Sequence, residues 1–315
     1  MSNRREFLRN ASIFTVGGLL TGRIGHAATK QPIVAESQAK KKIGLQIYSL
    51  FRELDADIPG GLKKLAQYGY STIELAGYAP DGKLHGVTLP EFKKMSDDAG
   101  LKIVSSHLNP PVREYTKDNL QQIKDFWKTA TDHHAAIGVP YLVQPSQPPT
   151  RSIEEAQFIG EVFTEAGKIT KAGGLSFGYH NHDGEFARVI AGGEGPLVGR
   201  RGAPNSQIIW DIYEKSTDPA YVLFELDVYW IIMGGQDPVD YLKRYPQRIK
   251  LLHIKDKEVL GESGILNFEN IFKQAYKNGV IQDWFVELEG QKSRPTQFEG
   301  VKACADYLLK ASFVK

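Results

Sequence analysis

Asp227 closes the apolar run Phe224-Glu225-Leu226, where an unpaired carboxylate is costly to bury and wants a countercharge. Glu287 in Trp284-Phe285-Val286-Glu287 poses the same problem, and His253 sits inside Lys250-Leu251-Leu252-His253-Ile254-Lys255-Asp256. The stretch Phe177-Gly178-Tyr179-His180-Asn181-His182-Asp183-Gly184-Glu185-Phe186 adds two histidines to the end of another apolar run. His180 or His182 with Asp227, His253 and Glu287 makes a set of imidazole and carboxylate donors. Such a set suits manganese, cobalt, zinc or iron better than calcium, and its carboxylates also admit magnesium. The first ligand is read as His180, with His182 open as its alternative.

These residues need elements that bring them together. Short β-branched and apolar runs at 42–50, 70–77, 101–108, 140–146, 175–182, 221–230, 248–256 and 283–290 read as strands. Amphipathic stretches at 58–69, 89–100, 116–138, 151–172, 237–246, 267–279 and 294–311 read as the helices between them. Gly69, Gly100, Gly138, Gly173-Gly174 and Gly279 stand where five of these helices should stop. Strands alternating with helices, a rhythm broken at 184–220, imply an α/β chain folded as a single-domain (β/α)8 TIM barrel over residues 42–315. An open doubly wound sheet is disfavoured because no glycine-rich phosphate turn follows the first strand.

Alternate residues of a strand share a face, and a barrel's inner face is apolar until its C-terminal mouth. On one parity the strand ends carry Gln46 and Tyr48, Glu74, Ser105 and His107, Gln144, His180 and His182, Glu225 and Asp227, His253 and Lys255, and Glu287 and Glu289. A barrel built only for stability has little reason to collect them. Tyr48 and Glu74 are read as substrate contacts, Glu74 having pairing with a lysine or capping of a loop as its alternative. Phe51-Arg52 and Trp230 lie where they would shape a sugar pocket. Adjacent helical residues point apart, so His133-His134 is read as solvated; His85 falls in a loop and Lys40–Lys42 in a solvated face. Residues 184–220 form a long glycine-rich segment with a short helical stretch at 207–213, read as a flap facing the substrate.

The first 30 residues carry Arg4-Arg5, then Phe7-Leu8, a weakly apolar stretch from Ala11 to Leu20 and small residues at Ala27-Ala28. Residues 1–27 read as a twin-arginine export signal and 28–41 as a linker, which implies a periplasmic protein exported already folded, with its ligand bound. The apolar part is too short to remain in a bilayer, so no integral membrane segment is expected after signal removal. Cys304 is the sole cysteine, so no intrachain disulfide supports the fold. Loss of Arg4, Arg5, Arg9 and Arg23 against Glu6 removes a net +3 and takes the charge from +2 to −1. A chain without a basic face is a poor nucleic-acid binder.

The stretches KIGLQIYSL, YGYSTIELAGY, SSHLN, FGYHNHDGEF, FELDVYWIIMGGQDPVDYLKRYPQRIKLLHIKD and WFVELEG together resemble the xylose isomerase-like TIM barrel superfamily, the sugar phosphate isomerase/epimerase family, from about 42 to 312. The resemblance implies a divalent metal held by a glutamate, an aspartate, a histidine and a glutamate at the ends of the fifth to eighth strands. The last three fall on Asp227, His253 and Glu287, and His180 occupies the place of the first glutamate. In that family the two glutamates exchange protons at a substrate carbon through a metal-held enediolate. Glu287 and His180 would then be the catalytic pair, with His107, His182 and Lys255 contacting substrate hydroxyls or a carbonyl.

The resulting expectation is a metal-dependent isomerase or epimerase acting on a small carbohydrate. Export and the lack of a phosphate cradle, apart from the GRRGAP stretch at 199–204, favour a free sugar, keto-sugar or keto-glycoside. A lyase or hydratase acting on 3-keto-glycosides through the same site is the rival enzyme. A periplasmic sugar-binding protein without turnover is the alternative outside enzymes. The apurinic-endonuclease branch of the fold is disfavoured by the charge and by export. Assembly into a homo-oligomer is left open.

Overall fold

The computed structural model describes residues 41–315 except 147 and 198–202. The expected export signal, the linker other than Lys41, and most of the GRRGAP stretch lie outside the described residues. Among those described, eight parallel strands close into one barrel. They are β1 (Gly44–Gln46), β2 (Thr72–Leu75), β3 (Lys102–His107), β4 (Tyr141–Gln144), β5 (Ser176–His180), β6 (Val222–Asp227), β7 (Ile249–Lys255) and β8 (Asp283–Glu287). Each lies beside its predecessor in the chain, and β8 pairs with β1 through Gly44–Phe285 and Leu45–Val286.

Helices make the crossovers. They are α1 (Phe51–Ala56) and α2 (Ile58–Gln67) after β1, α3 (Leu89–Ala99) after β2, α4 (Leu120–Ala135) after β3 and α5 (Ile153–Ala172) after β4. Then come α6 (Ile209–Ser216) after β5, α7 (Trp230–Met233) and α8 (Pro238–Arg244) after β6, α9 (Phe268–Asn278) after β7 and α10 (Gln297–Lys310) after β8. The sequences Thr88-Leu89-Pro90-Glu91 and Thr296-Gln297-Phe298-Glu299 form capping boxes that start α3 and α10. Gly100 and Gly279 end α3 and α9 at φ of 80° and 69°, a left-handed turn that a side chain would oppose.

Two apolar layers result. Outside the barrel, Phe177 packs edge-on against Trp127 of α4 at 4.9 Å between ring centres, and Tyr179 stacks on Phe163 of α5 at 4.7 Å. Inside it, Val104, Val143, Leu251 and Phe285 form a separate buried cluster. Leu251 and Phe285 precede His253 and Glu287 by two residues and so share their inward face. The barrel is therefore apolar at its floor and ionisable at its mouth.

Several local expectations change. β1 ends at Gln46, four residues early, because the Gln46 side chain accepts a hydrogen bond from the Tyr48 N–H and turns the chain into a tight turn over 47–50. Tyr48 therefore stands on that turn and not on a strand. Gln144 faces out of the barrel, where it accepts from the Tyr115 hydroxyl, and Val143 takes the inward position. His134 is buried, with Nδ1 on the Ala130 carbonyl at 2.7 Å and Nε2 on Ser106 Oγ at 3.0 Å; only its neighbour His133, against the Tyr78 hydroxyl, is partly exposed. In the 184–220 segment, Arg188–Val189 pairs with Gln207–Ile208, and Phe186, Ile209 and Trp210 are buried. These residues anchor the segment, Trp210 lying 4.6 Å from Phe224 of β6 between ring centres.

Candidate active site

Every strand except β4 sends a polar side chain into the mouth, and the strands' ends set which atoms meet. His253 on β7 is the centre. Its Nε2 lies 2.6 Å from Glu74 Oε1 on β2 and 3.3 Å from Glu225 Oε2 on β6. Its Nδ1 lies 3.4 Å from Glu287 Oε2 on β8 and 3.9 Å from Asp227 Oδ2 on β6. His253 therefore joins two groups whose donor atoms lie within 4.8 Å of one another: Asp227, His253 and Glu287, and His107, His180, Glu225 and His253.

The two groups differ in what is already satisfied. In the second, Glu225 Oε2 meets His107 Nε2 at 2.8 Å and His180 Nδ1 at 3.2 Å, so the donors are bonded to each other through that oxygen, and Glu225 Oε1 is left buried without a hydrogen-bond partner among the described residues. In the first, Asp227 Oδ1 accepts from the backbone N–H groups of Tyr229 and Trp230, both at 2.8 Å, which fixes the carboxylate. Asp227 Oδ2 and His253 Nδ1 remain buried without a hydrogen-bond partner among the described residues. Buried polar atoms are rarely left so, and a cation between them and Glu287 would satisfy both. The donors fit a divalent ion at Asp227, His253 and Glu287, with Glu74 fixing His253 from behind through its other nitrogen.

Electrostatics point the same way. Burial pushes the Asp227 carboxyl up to about 7, more than Lys255 and His253 offset. Burial also pushes Glu287 up, but Lys255 and then His253 hold it well below the usual carboxylate range, so it is an anion. Burial lowers His253, yet Glu225 and Glu74 raise it well above the usual histidine value. A proton then occupies the place a cation would take, and binding would release it. His180 is held well below the usual value by burial first, then by His253 and His107, and is a neutral imidazole.

Above this layer opens a cavity of 340 Å³ walled by Tyr48, Phe51, His107, His180, His182 and Glu287 among others. Tyr48 is 53% exposed at its rim. Glu74 and Lys255, expected at the substrate surface, are set back from it. Glu74 lies beneath His253 and accepts from Gln46 Nε2 at 2.8 Å, and Lys255 Nζ sits between Glu287 at 3.3 Å and Glu289 at 3.2 Å. Of the four expected ligands the structure gathers Asp227, His253 and Glu287 in one group and puts His180 in the neighbouring one.

With this geometry fixed, likeness to known proteins is informative. The sequence pattern of the xylose isomerase-like TIM barrel family matches residues 62–310. The chain belongs to that family. A sugar phosphate isomerase/epimerase from Parabacteroides distasonis superposes with a TM-score of 0.83 at 49% identity, over 90% of this chain and 100% of that one. An inosose dehydratase from Bacillus anthracis is 28% identical over 133 residues, 42% of this chain and 39% of that protein. The chain thus matches about two-fifths of the length of its curated relatives. The IOLI protein, solved with a bound zinc atom, shares the fold with a TM-score of 0.58 at 17% identity, over 84% of this chain and 95% of that one.

Within this family barrel, three residues that sequence reasoning passed over hold the site together. Glu225 shares Asp227's face and binds His107 and His180, a partnership its parity alone hinted at. Asn181 points away from the mouth and its Oδ1 accepts from the Asp227 N–H at 3.2 Å, tying the ends of β5 and β6. Glu185 is buried, accepts from the His182 N–H at 3.0 Å and from the Tyr179 hydroxyl at 2.5 Å, and is pushed up to about 7 by burial. The spacing of Glu185 from Tyr179 and His182 gave no signal that it folds back on both.

Proposed function

We propose that this chain is a divalent-metal-dependent enzyme that moves a proton next to the carbonyl of a free sugar, keto-sugar or keto-glycoside, interconverting isomers or epimers. The observation that carries the reading is the pair of buried, unpartnered atoms, Asp227 Oδ2 and His253 Nδ1, facing anionic Glu287 at the mouth of a sugar-isomerase-like barrel. A bound cation would supply Lewis acidity that stabilises negative charge developing on the substrate carbonyl oxygen.

The chain's own groups divide the remaining work. Glu287, kept ionised by Lys255, takes the proton from carbon. Neutral His180 has Nδ1 on Glu225, whose carboxyl burial raises, so a proton can pass between Glu225 and another side of the substrate through the ring, by way of Nε2. His107 and His182 line the cavity where hydroxyls need partners, and Tyr48 covers its rim. Incubation with manganese and a panel of keto-sugars in deuterium oxide is expected to place deuterium on a substrate carbon. Glu287→Gln should lower that rate by about two orders of magnitude or more. Exchange that persists after chelation, or unchanged in the variant, sinks the proposal, and sugar binding with no exchange makes the protein a binder.

A lyase acting on 3-keto-glycosides is the second reading. It is favoured by His180, where the family resemblance expects a glutamate, and by the similarity to an inosose dehydratase. Burial raises the Glu225 carboxyl on His180 Nδ1, so a proton can pass from Glu225 through the imidazole to a leaving hydroxyl or alkoxide once Glu287 has taken the carbon-bound proton. Loss of water or of an alcohol, with a conjugated ketone appearing in the ultraviolet, decides for it over epimerisation.

A further inference from the structure

The mouth has a second compartment. An outer cavity of 460 Å³ adjoins the inner one and shares Tyr48, Phe51 and Glu289 with it. The inner cavity alone, at 340 Å³, already reaches the size of roughly 300 Å³ at which small-molecule sites begin. The histidines of the mouth and Glu287 wall only the inner space, while Arg52, Glu53 and Gln297 wall only the outer one. A ligand filling both would react at one end and be gripped at the other.

We propose that the outer cavity binds a second, uncharged sugar ring, so that the substrate is a two-ring glycoside and not a monosaccharide or a sugar phosphate. This rests on the sugar-processing reading above. Half-exposed Tyr48 stands between the compartments, where an aromatic face covers the apolar face of a ring. Arg52 is exposed and has no side-chain partner among the described residues, and its planar fork suits paired hydroxyls. Charge excludes a phosphate. Arg52 shares the wall with the Glu53 carboxylate, and Glu289 is already paired with Lys255, so the compartment has no net positive charge to hold a dianion.

The manganese-loaded protein, titrated by saturation-transfer NMR with glucose, glucose 6-phosphate, trehalose, cellobiose and lactose, tests this. At least one disaccharide is expected to bind about tenfold more tightly than glucose. Arg52→Ala, an exposed change that the fold tolerates, should erase that advantage and leave glucose binding unchanged. The inference is overturned if no disaccharide outbinds glucose, if glucose 6-phosphate binds more tightly than glucose, or if Arg52→Ala keeps the advantage. Deuterium exchange at carbon separates the two proposals: exchange without a disaccharide preference sinks this one alone, and a preference without exchange sinks only the reaction.

Discussion

A histidine can present one nitrogen to a cation only if the other is held, and in this barrel the holder is Glu74. Its Oε1 takes His253 Nε2 at 2.6 Å, is itself fixed by Gln46 Nε2 at 2.8 Å, and leaves Nδ1 for the Asp227 and Glu287 side. Burial raises the Glu74 carboxyl, but His107 and His253 bring it below its usual value, so it acts as a charged orienter. Glu74→Gln preserves shape and a hydrogen bond while removing one of the charges, beside that of Glu225, that keep His253 basic. Manganese affinity is then expected to fall by roughly 10- to 100-fold, as when other partners behind a metal ligand are lost. Calorimetric titration checks this, with circular dichroism confirming the fold. An unchanged affinity would remove Glu74 from the site.

At the scale of elements, His134 shows both what sequence can say and where it stops. Trp127, Ala130, Thr131 and His134 lie three or four apart on α4 and are all buried, so the spacing held the answer. Adjacency said that His133 and His134 diverge but not which one faces β3. Similarly, β-branched and apolar runs revealed all eight strands, as buried parallel strands do, yet not the end of β1, which the Gln46 side chain decides by accepting from the Tyr48 N–H. The mouth was legible as a set of polar strand ends, whereas Gln144's outward turn depends on the register of β4, and Glu225's pairing on three other strands. Burial lowers His134 to about 4 from 6.5. Its neutral form is the one folding favours, so this stability is complete above pH 6.5 and is lost as pH falls toward 4. The difference is about 3 kcal/mol. Urea midpoints measured between pH 7 and 4 should fall more steeply in the native protein than in His134→Gln; parallel curves would show that His134 does not set the slope.

For the whole molecule, the barrel makes a claim about where it works. The donors proposed for the cation come from three strands that meet only when the barrel closes, so an ion held there would belong to the folded state. An export route that carries folded proteins suits such a site, because the metal can be chosen before the chain leaves the cytoplasm. Arg4-Arg5 with the weakly apolar stretch behind it supplies the matching signal, and we propose the periplasm as the destination. No helix among the described residues is long and apolar enough to cross a membrane, so nothing in the described barrel competes with such a signal for insertion. Paired substitution of Arg4→Lys and Arg5→Lys keeps the charge and removes the twin arginines. Cell fractionation should then find an uncleaved, metal-loaded precursor in the cytoplasm in place of a shortened periplasmic form. Full-length protein in the periplasm, or processing unaffected by the substitutions, would separate the barrel's chemistry from export and remove the reason to prefer a free sugar over a phosphorylated one on grounds of compartment.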